Sequence, residues 1–227
     1  MAQEIADMTT VVSPPERKTD VPAQRIILDG ISWGAYERLL EDFRDRSVPH
    51  FTYDEGTLEI VSPSQKHEQL NRTINLLVEV LAEEMGLESA NLGSTTFKRK
   101  KFKKGFEPDT CFYFQSLGRI EGKEELDLRF DPPPDVVIEI DIYHDSLDKF
   151  PVFARIGVSE IWRHDGQSVQ IFQLTGGEYQ ERATSSALPF LSSGDLIQLL
   201  EANESRSRLE WLRLVRDWAR GRRGASG

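Results

Sequence analysis

Apolar positions in this chain recur with helical spacing in some stretches and alternate in others. Trp33, Tyr36, Leu39, Leu40 and Phe43 fall three or four residues apart, which predicts a helix over 31–45. A longer stripe runs through Leu70, Ile74, Leu77, Leu81 and Met85. It is bracketed by Ser64, a residue suited to capping, and Gly86, a residue suited to stopping, so a helix over 65–85 is expected. Leu209, Leu212, Val215 and Trp218 form a third stripe, with Trp211 and Leu214 beside it, over 208–220. Between the first two helices, Phe51 and Tyr53 alternate, Asp54-Glu55-Gly56 supplies a turn, and Leu58 and Ile60 alternate again; the pattern predicts a hairpin.

Further strands are expected around 87–92, 95–100, 159–163 and 169–174. Residues 106–114 carry Cys111 and Tyr113 on one face and Phe112 and Phe114 on the other, the mark of a central strand. Val136-Val137-Ile138-Glu139-Ile140 is the strongest strand signal. The polar stretch 115–134, ending in Pro132-Pro133-Pro134, reads as a loop. A short helix from near Asp148 to Gly157 would keep Pro151 in its first turn, and 196–200 reads as another helix. The order of elements predicts an α/β protein with a mixed sheet flanked by helices. Residues 1–24 are polar, contain Pro14, Pro15 and Pro22, and are expected to be a mobile tail. A domain over 25–202 and a C-terminal amphipathic helix and tail over 203–227 complete the division.

Composition narrows the function. The 227 residues suffice for one sizeable core. No apolar run has membrane-spanning length and no apolar signal core opens the chain, so a cytoplasmic protein without a membrane partner is expected. Cys111, the only cysteine, excludes an internal disulfide framework and a cysteine-rich zinc module, and fits a reducing compartment. A net charge of −10 excludes a globally basic nucleic-acid coat, but positive charge is concentrated in two places. Lys98, Arg99, Lys100, Lys101, Lys103 and Lys104 are six cations in seven residues, and seven arginines follow between Ser205 and Arg223. The chain lacks the nucleophile-elbow pattern of serine hydrolases and the glycine-lysine motif of phosphate-loop enzymes.

The chemistry centres on acids placed where a core should be. Asp109 and Glu139 each sit amid large apolar neighbours, and an unpaired buried carboxylate is costly. A divalent cation with oxygen ligands would explain both. Asp141 lies two residues beyond Glu139, on the same face and about 7 Å along the strand. Glu68, in the first turn of the long helix, could reach the same cation or simply favour the helix dipole. Lys149 stands at a strand-to-helix junction, where α/β sites are often built. The structural alternatives are an ion pair of Glu139 with Arg155 or Lys149, strand-end exposure or a turn contact for Asp109, a solvated helix position for Lys149, a surface or capping role for His67, and a solvated strand or loop for 98–104. Cys111 reads as buried filler.

The segments YDEGTLEIVSPSQKHE, GFEPDTCFYF, DPPPDVVIEID and SLDKFPVFARIGVSEIW stand in an order that resembles the Uma2 family, over about residues 26–200. This is a bacterial group of endonuclease-like proteins assigned to the restriction-endonuclease-like PD-(D/E)XK superfamily. The resemblance implies a nuclease-like core with a metal site on two adjacent central strands. By position, Pro108-Asp109 matches the PD element, Glu139 the acid of the second element, and Glu68 the acid of the first core helix. The superfamily's lysine falls at Asp141, a departure, and the resemblance shifts its role to Lys149. The implied activity is Mg²⁺- or Mn²⁺-dependent hydrolysis of nucleic acid, with DNA as the expected substrate. Asp109, Glu139, the main-chain carbonyl of Ile140 and Glu68 would bind metal, with Asp141 as an added ligand, and Lys98, Arg99, Lys100, Lys101, Lys103 and Lys104 would contact phosphates. A homodimer would suit cleavage of both strands. The alternative is a nuclease-fold module without catalysis, serving nucleic-acid or protein binding.

Overall fold

A computed structural model of the protein describes residues 23–142 and 147–225. Most of the expected tail therefore lies outside the described residues. Among them are eleven strands in two sheets, five α-helices and two short 3-10 turns.

The first sheet has the order β1-β3-β2-β6-β5 and is antiparallel throughout: β1 Gln24–Leu28, β2 His50–Asp54, β3 Thr57–Ser62, β5 Phe97–Arg99 and β6 Lys104–Phe106. The second has the order β11-β10-β9-β8-β7-β4: β4 Ala90–Asn91, β7 Thr110–Tyr113, β8 Val136–Ile140, β9 Glu160–His164, β10 Val169–Thr175 and β11 Glu178–Arg182. It is mixed, because β8 and β9 run parallel, joined through α3 Phe150–Ile156, while their neighbours are antiparallel.

The expected hairpin is β2–β3, and the first helix is α1 Trp33–Asp42. Its aromatic stripe packs on the first sheet: Tyr36 stacks on Tyr53 at 4.8 Å, and Trp33 meets both edge-on. The long helix α2 spans Gln65–Met85; the Ser64 side chain accepts from the His67 amide, and Gly86 stops the helix at φ 71°. Its stripe covers one face of β8 together with α4 Ser193–Glu204 and α5 Arg208–Ala225. Cys111, Tyr113 and Val137 face the opposite side, against α3 and the first sheet's Phe97 and Phe106. The five residues of β8 are all buried, as a strand apolar on both faces requires.

Three differences from the sequence reading bear on the site. The apolar run 106–114 is not one strand: β6 belongs to the first sheet and β7 to the second, so Glu107, Pro108 and Asp109 carry the chain between sheets. Asp109 thus stands just before a strand rather than within one. The residues 24–28 form an edge strand, β1, paired with β3 from Gln24↔Ser62 to Leu28↔Leu58. The polar strand β11 extends the second sheet beyond β10.

Candidate functional site

Strand pairing brings the two candidate acids together. Cys111 pairs with Val137 and Thr110 with Ile138, which sets Asp109, one residue earlier, beside Glu139 and Ile140. Asp109 Oδ2 accepts the Ile140 amide at 2.7 Å and lies 3.1 Å from His67 Nε2. His50 Nδ1 stands 3.7 Å from Oδ1, too far for a hydrogen bond but close enough to act as a charge. The Asn71 amide donates to the Asp109 carbonyl at 3.0 Å, so two residues one turn apart on α2 grip Asp109 from one side.

Glu139 is held differently. Lys149, the residue before α3, donates from Nζ to Glu139 Oε2 at 2.6 Å. The other carboxylate oxygen, Oε1, is buried and has no hydrogen-bond partner among the described residues. The ion pair with Lys149, one of the structural alternatives for Glu139, is thus formed, and it satisfies half of the carboxylate. Arg155 instead lies over the Phe102 ring, 4.3 Å from its centroid.

The electrostatics follow from burial and neighbours. Burial pushes the Glu139 carboxyl up, to about 7, with the Asp109 charge adding to the rise and Lys149 opposing it. Burial also works against ionised Asp109, but the imidazoles of His50 and His67 and the Lys149 charge outweigh it and hold Asp109 well below the carboxylate range. Burial lowers both histidines, and Asp109 more than reverses this, raising them above their ordinary value. Lys149 is pulled down by burial and raised further by the charges of Glu139, Asp109 and Glu59, so it stays protonated.

These groups line two adjoining hollows. One, about 230 Å³, is walled by Arg25, Glu139, Ile140, Asp141, Lys149 and Arg163, among others. The narrower one, about 20 Å³, lies among Arg25, His50, Thr52, His67, Asp109 and Lys149. A roomier hollow of about 880 Å³, between α1 and residues 117–126, includes Glu107 but neither Asp109 nor Glu139.

The other sequence candidates are distributed around this centre. Asp141 Oδ2 accepts from Arg163 at 2.8 Å, on the wall of the larger of the two adjoining hollows. Glu68 is in the first turn of α2, 37% exposed, with Oε1 4.0 Å from His67 Nδ1. None of residues 98–104 lines either hollow of the site. Lys98, Lys100, Lys101 and Lys103 are exposed on β5 and the turn after it. Lys98 lies 3.7 Å from Glu37, and Arg99 donates to the Leu128 carbonyl at 3.0 Å. Lys104 is buried against Asp54.

Sequence reasoning did not single out His50, Asn71, Arg25 or Glu59. A signal for Asn71 was its place one turn after His67, a polar residue on the buried side of an otherwise apolar helix. His50, Thr52, Glu59, Val61 and Arg25 share one face of the first sheet through the pairings His50↔Val61, Thr52↔Glu59 and Arg25↔Val61. The alternation of the hairpin gave that face, but not its destination. No helix among the described residues is long and apolar enough to cross a membrane.

Residues 33–205 match the model of the Uma2 family, described as "Putative restriction endonuclease". Among solved structures, the chain is similar to "a putative nuclease belonging to DUF820" from Anabaena variabilis ATCC 29413. That match has 19% identity and a TM-score of 0.48, and covers 71% of this chain and 98% of the other. No curated protein matches the chain.

Proposed function

Because the chain belongs to the Uma2 family, whose model spans residues 33–205, we propose that it is a metal-dependent nuclease that hydrolyses phosphodiester bonds of DNA at Asp109 and Glu139. The observation that carries this reading is the contrast within Glu139: one oxygen is paired with Lys149, the other is buried and unsatisfied beside a second, ionised carboxylate. Buried polar atoms are nearly always satisfied, and an oxygen left bare at the wall of a hollow is suited to a cation.

The donors fit Mg²⁺ or Mn²⁺. Among the described residues no group of three or more His, Cys, Asp or Glu side chains is arranged to hold a metal. Mg²⁺ does not need one, since it keeps several waters and binds through one or two carboxylates. Asp109, Glu139 and the Ile140 carbonyl would hold it, with Glu68 reaching it through water and Asp141 at the margin. When bound, the ion lowers the pKa of a water and neutralises charge growing on the phosphoryl oxygens. The chain's own groups do the rest. His50, His67 and the Ile140 amide keep Asp109 ionised and fixed in direction. Lys149 supplies a persistent positive charge at the same point, able to hold the scissile phosphate or the attacking water. The exposed Lys98, Lys100, Lys101 and Lys103 would extend the DNA surface beyond the cleft.

A plasmid-nicking assay with Mg²⁺ or Mn²⁺ tests the reading. Wild type should convert supercoiled DNA to nicked and linear forms, and Glu139→Ala should lower the rate at least about 100-fold. Cleavage that survives the substitution unchanged would sink the proposal. Binding of DNA without any cleavage would favour the non-catalytic module, for which the pairing of Asp141 with Arg163 at the superfamily's lysine position is the supporting observation.

A further inference from the structure

Asp109 lies outside the ladder of β7, which starts at Thr110, so its place depends on what grips it from beside. His67 and the Ile140 amide hold the carboxylate, but a carboxylate is aimed only if the main chain beneath it is fixed. Asn71 fixes it, donating from Nδ2 to the Asp109 carbonyl at 3.0 Å. The Asn71 oxygen accepts from Asn75 Nδ2 at 3.1 Å. Asn75 Oδ1 in turn accepts the Thr110 hydroxyl at 2.6 Å and the Asn91 amide at 3.0 Å. Successive turns of α2 thus hold successive residues of the chain, Asn71 on Asp109 and Asn75 on Thr110. Asn91 is the far end of this network. It accepts the Gly93 amide and donates to Glu79, and among the described residues it bonds to neither Asn71 nor Asp109.

Glu68, Asn71, Asn75 and Glu79 are spaced by three or four residues, so they stand in one row along α2. The apolar stripe through Ile74, Leu77 and Leu81 already anchors the helix in the core. Apolar packing is non-directional, whereas a chain of amide hydrogen bonds fixes the register of α2 against β7, and with it the offset between Glu68 and Asp109. Asn71 and Thr110 are buried, which keeps water from competing for these bonds. We propose that Asn71 is a positioning residue: through the Asp109 carbonyl it holds Asp109, and through the helix it holds Glu68, at the spacing a divalent ion requires. This rests on the metal-dependent nuclease reading above.

Mn²⁺ binding, followed by electron paramagnetic resonance with no DNA present, reads this apart from cleavage, with thermal melting of each variant in EDTA alongside. Asn71→Leu should weaken Mn²⁺ binding about 10-fold or more. In the nicking assay its kcat should fall while KM for DNA holds, since no phosphate contact is removed. Asn91→Leu breaks bonds of the same kind at the far end of the network, and it should lower the melting temperature while Mn²⁺ affinity stays at the wild-type value. Should Asn71→Leu not fold, Asn71→Gln decides by its Mn²⁺ affinity, because it keeps the amide and sets it one methylene further out. Weakened Mn²⁺ binding by a variant that melts like wild type supports positioning. Wild-type Mn²⁺ affinity in every folded Asn71 variant overturns the proposal. So does an equal loss of affinity in Asn91→Leu, which would mean only a loosened helix. If wild type binds no Mn²⁺, or Asp109→Ala binds it equally well, the metal reading falls and this inference with it.

Discussion

Glu160 and Glu139 stand on neighbouring strands, both buried, and their surroundings differ in kind. Glu160 accepts from the Trp162 indole, the Ser185 hydroxyl, and the Ser186 amide and hydroxyl, so both its oxygens are satisfied. Glu139 has one donor and one bare oxygen. From the sequence both are acids within apolar strands, and burial alone would not separate them; the serine donors of Glu160 come from a loop about 25 residues downstream, which periodicity does not reveal. The difference predicts a pH dependence. In the metal-free protein, Glu139 titrates near 7 when folded and near 4.5 when unfolded. Between those values the folded state holds the extra proton, so stability should fall as pH rises from 4.5 to 7. His50 and His67, raised by Asp109, add stability at low pH that is lost as pH climbs beyond their unfolded value near 6.5. Asp109, lowered, acts in the opposite sense, and its contribution disappears as pH drops below its unfolded value near 3.8. Urea unfolding in EDTA across this range should show the decline in wild type. Glu139→Gln should flatten the 4.5–7 part and leave the histidine part, whereas an unaltered profile would mean that Glu139 is not the group titrating.

At the scale of elements, the helices were easier to read than the sheets. α2 announced itself because its cap, stripe and stop are local, and the structure keeps all three. The break between β6 and β7 was hidden because apolar residues continue across it, and only Pro108, which cannot donate to a ladder, marked the place. β1 was hidden because its five residues adjoin a polar tail and its partner, β3, lies over thirty residues away. Thus the acids were legible, while the sheet face that brings Arg25, His50 and Glu59 to them was not. The first sheet also has a steric requirement at Gly105 on β6. A Cβ there would run into the Tyr36 hydroxyl and stand 3.0 Å from its ring, and Tyr36 is fixed by its stack on Tyr53. Gly105→Ala should cost about 1–3 kcal/mol by overpacking. Because the nearest atom is the hydroxyl, adding Tyr36→Phe should restore part of the loss. Equal urea midpoints for wild type and Gly105→Ala would refute the clash.

For the whole molecule, the positive charge is divided by purpose. The C-terminal arginines are largely used to dock α5 on its own fold: Arg216 and Arg220 grip Glu84 near the end of α2, and Arg222 reaches Asp195 of α4. Trp211, Val215 and Ala219 are fully buried in the same core as Ile74 and Leu77, and the Trp211 indole donates to the Leu199 carbonyl at 2.7 Å. The amphipathic stripe seen in the sequence is therefore a core stripe, although the family match ends at residue 205, before α5 begins. A helix that mainly served a sister subunit would leave its own domain stable when removed. A helix that closes the core would not. Truncation after Asn203 should expose the α2 stripe and lower the melting temperature sharply, and Trp211→Ala alone should cost about 3–5 kcal/mol. Calorimetry combined with light scattering separates the two roles: unchanged melting with a smaller oligomeric mass would show that α5 works between chains, while lower melting at constant mass shows that it completes the core beneath the site.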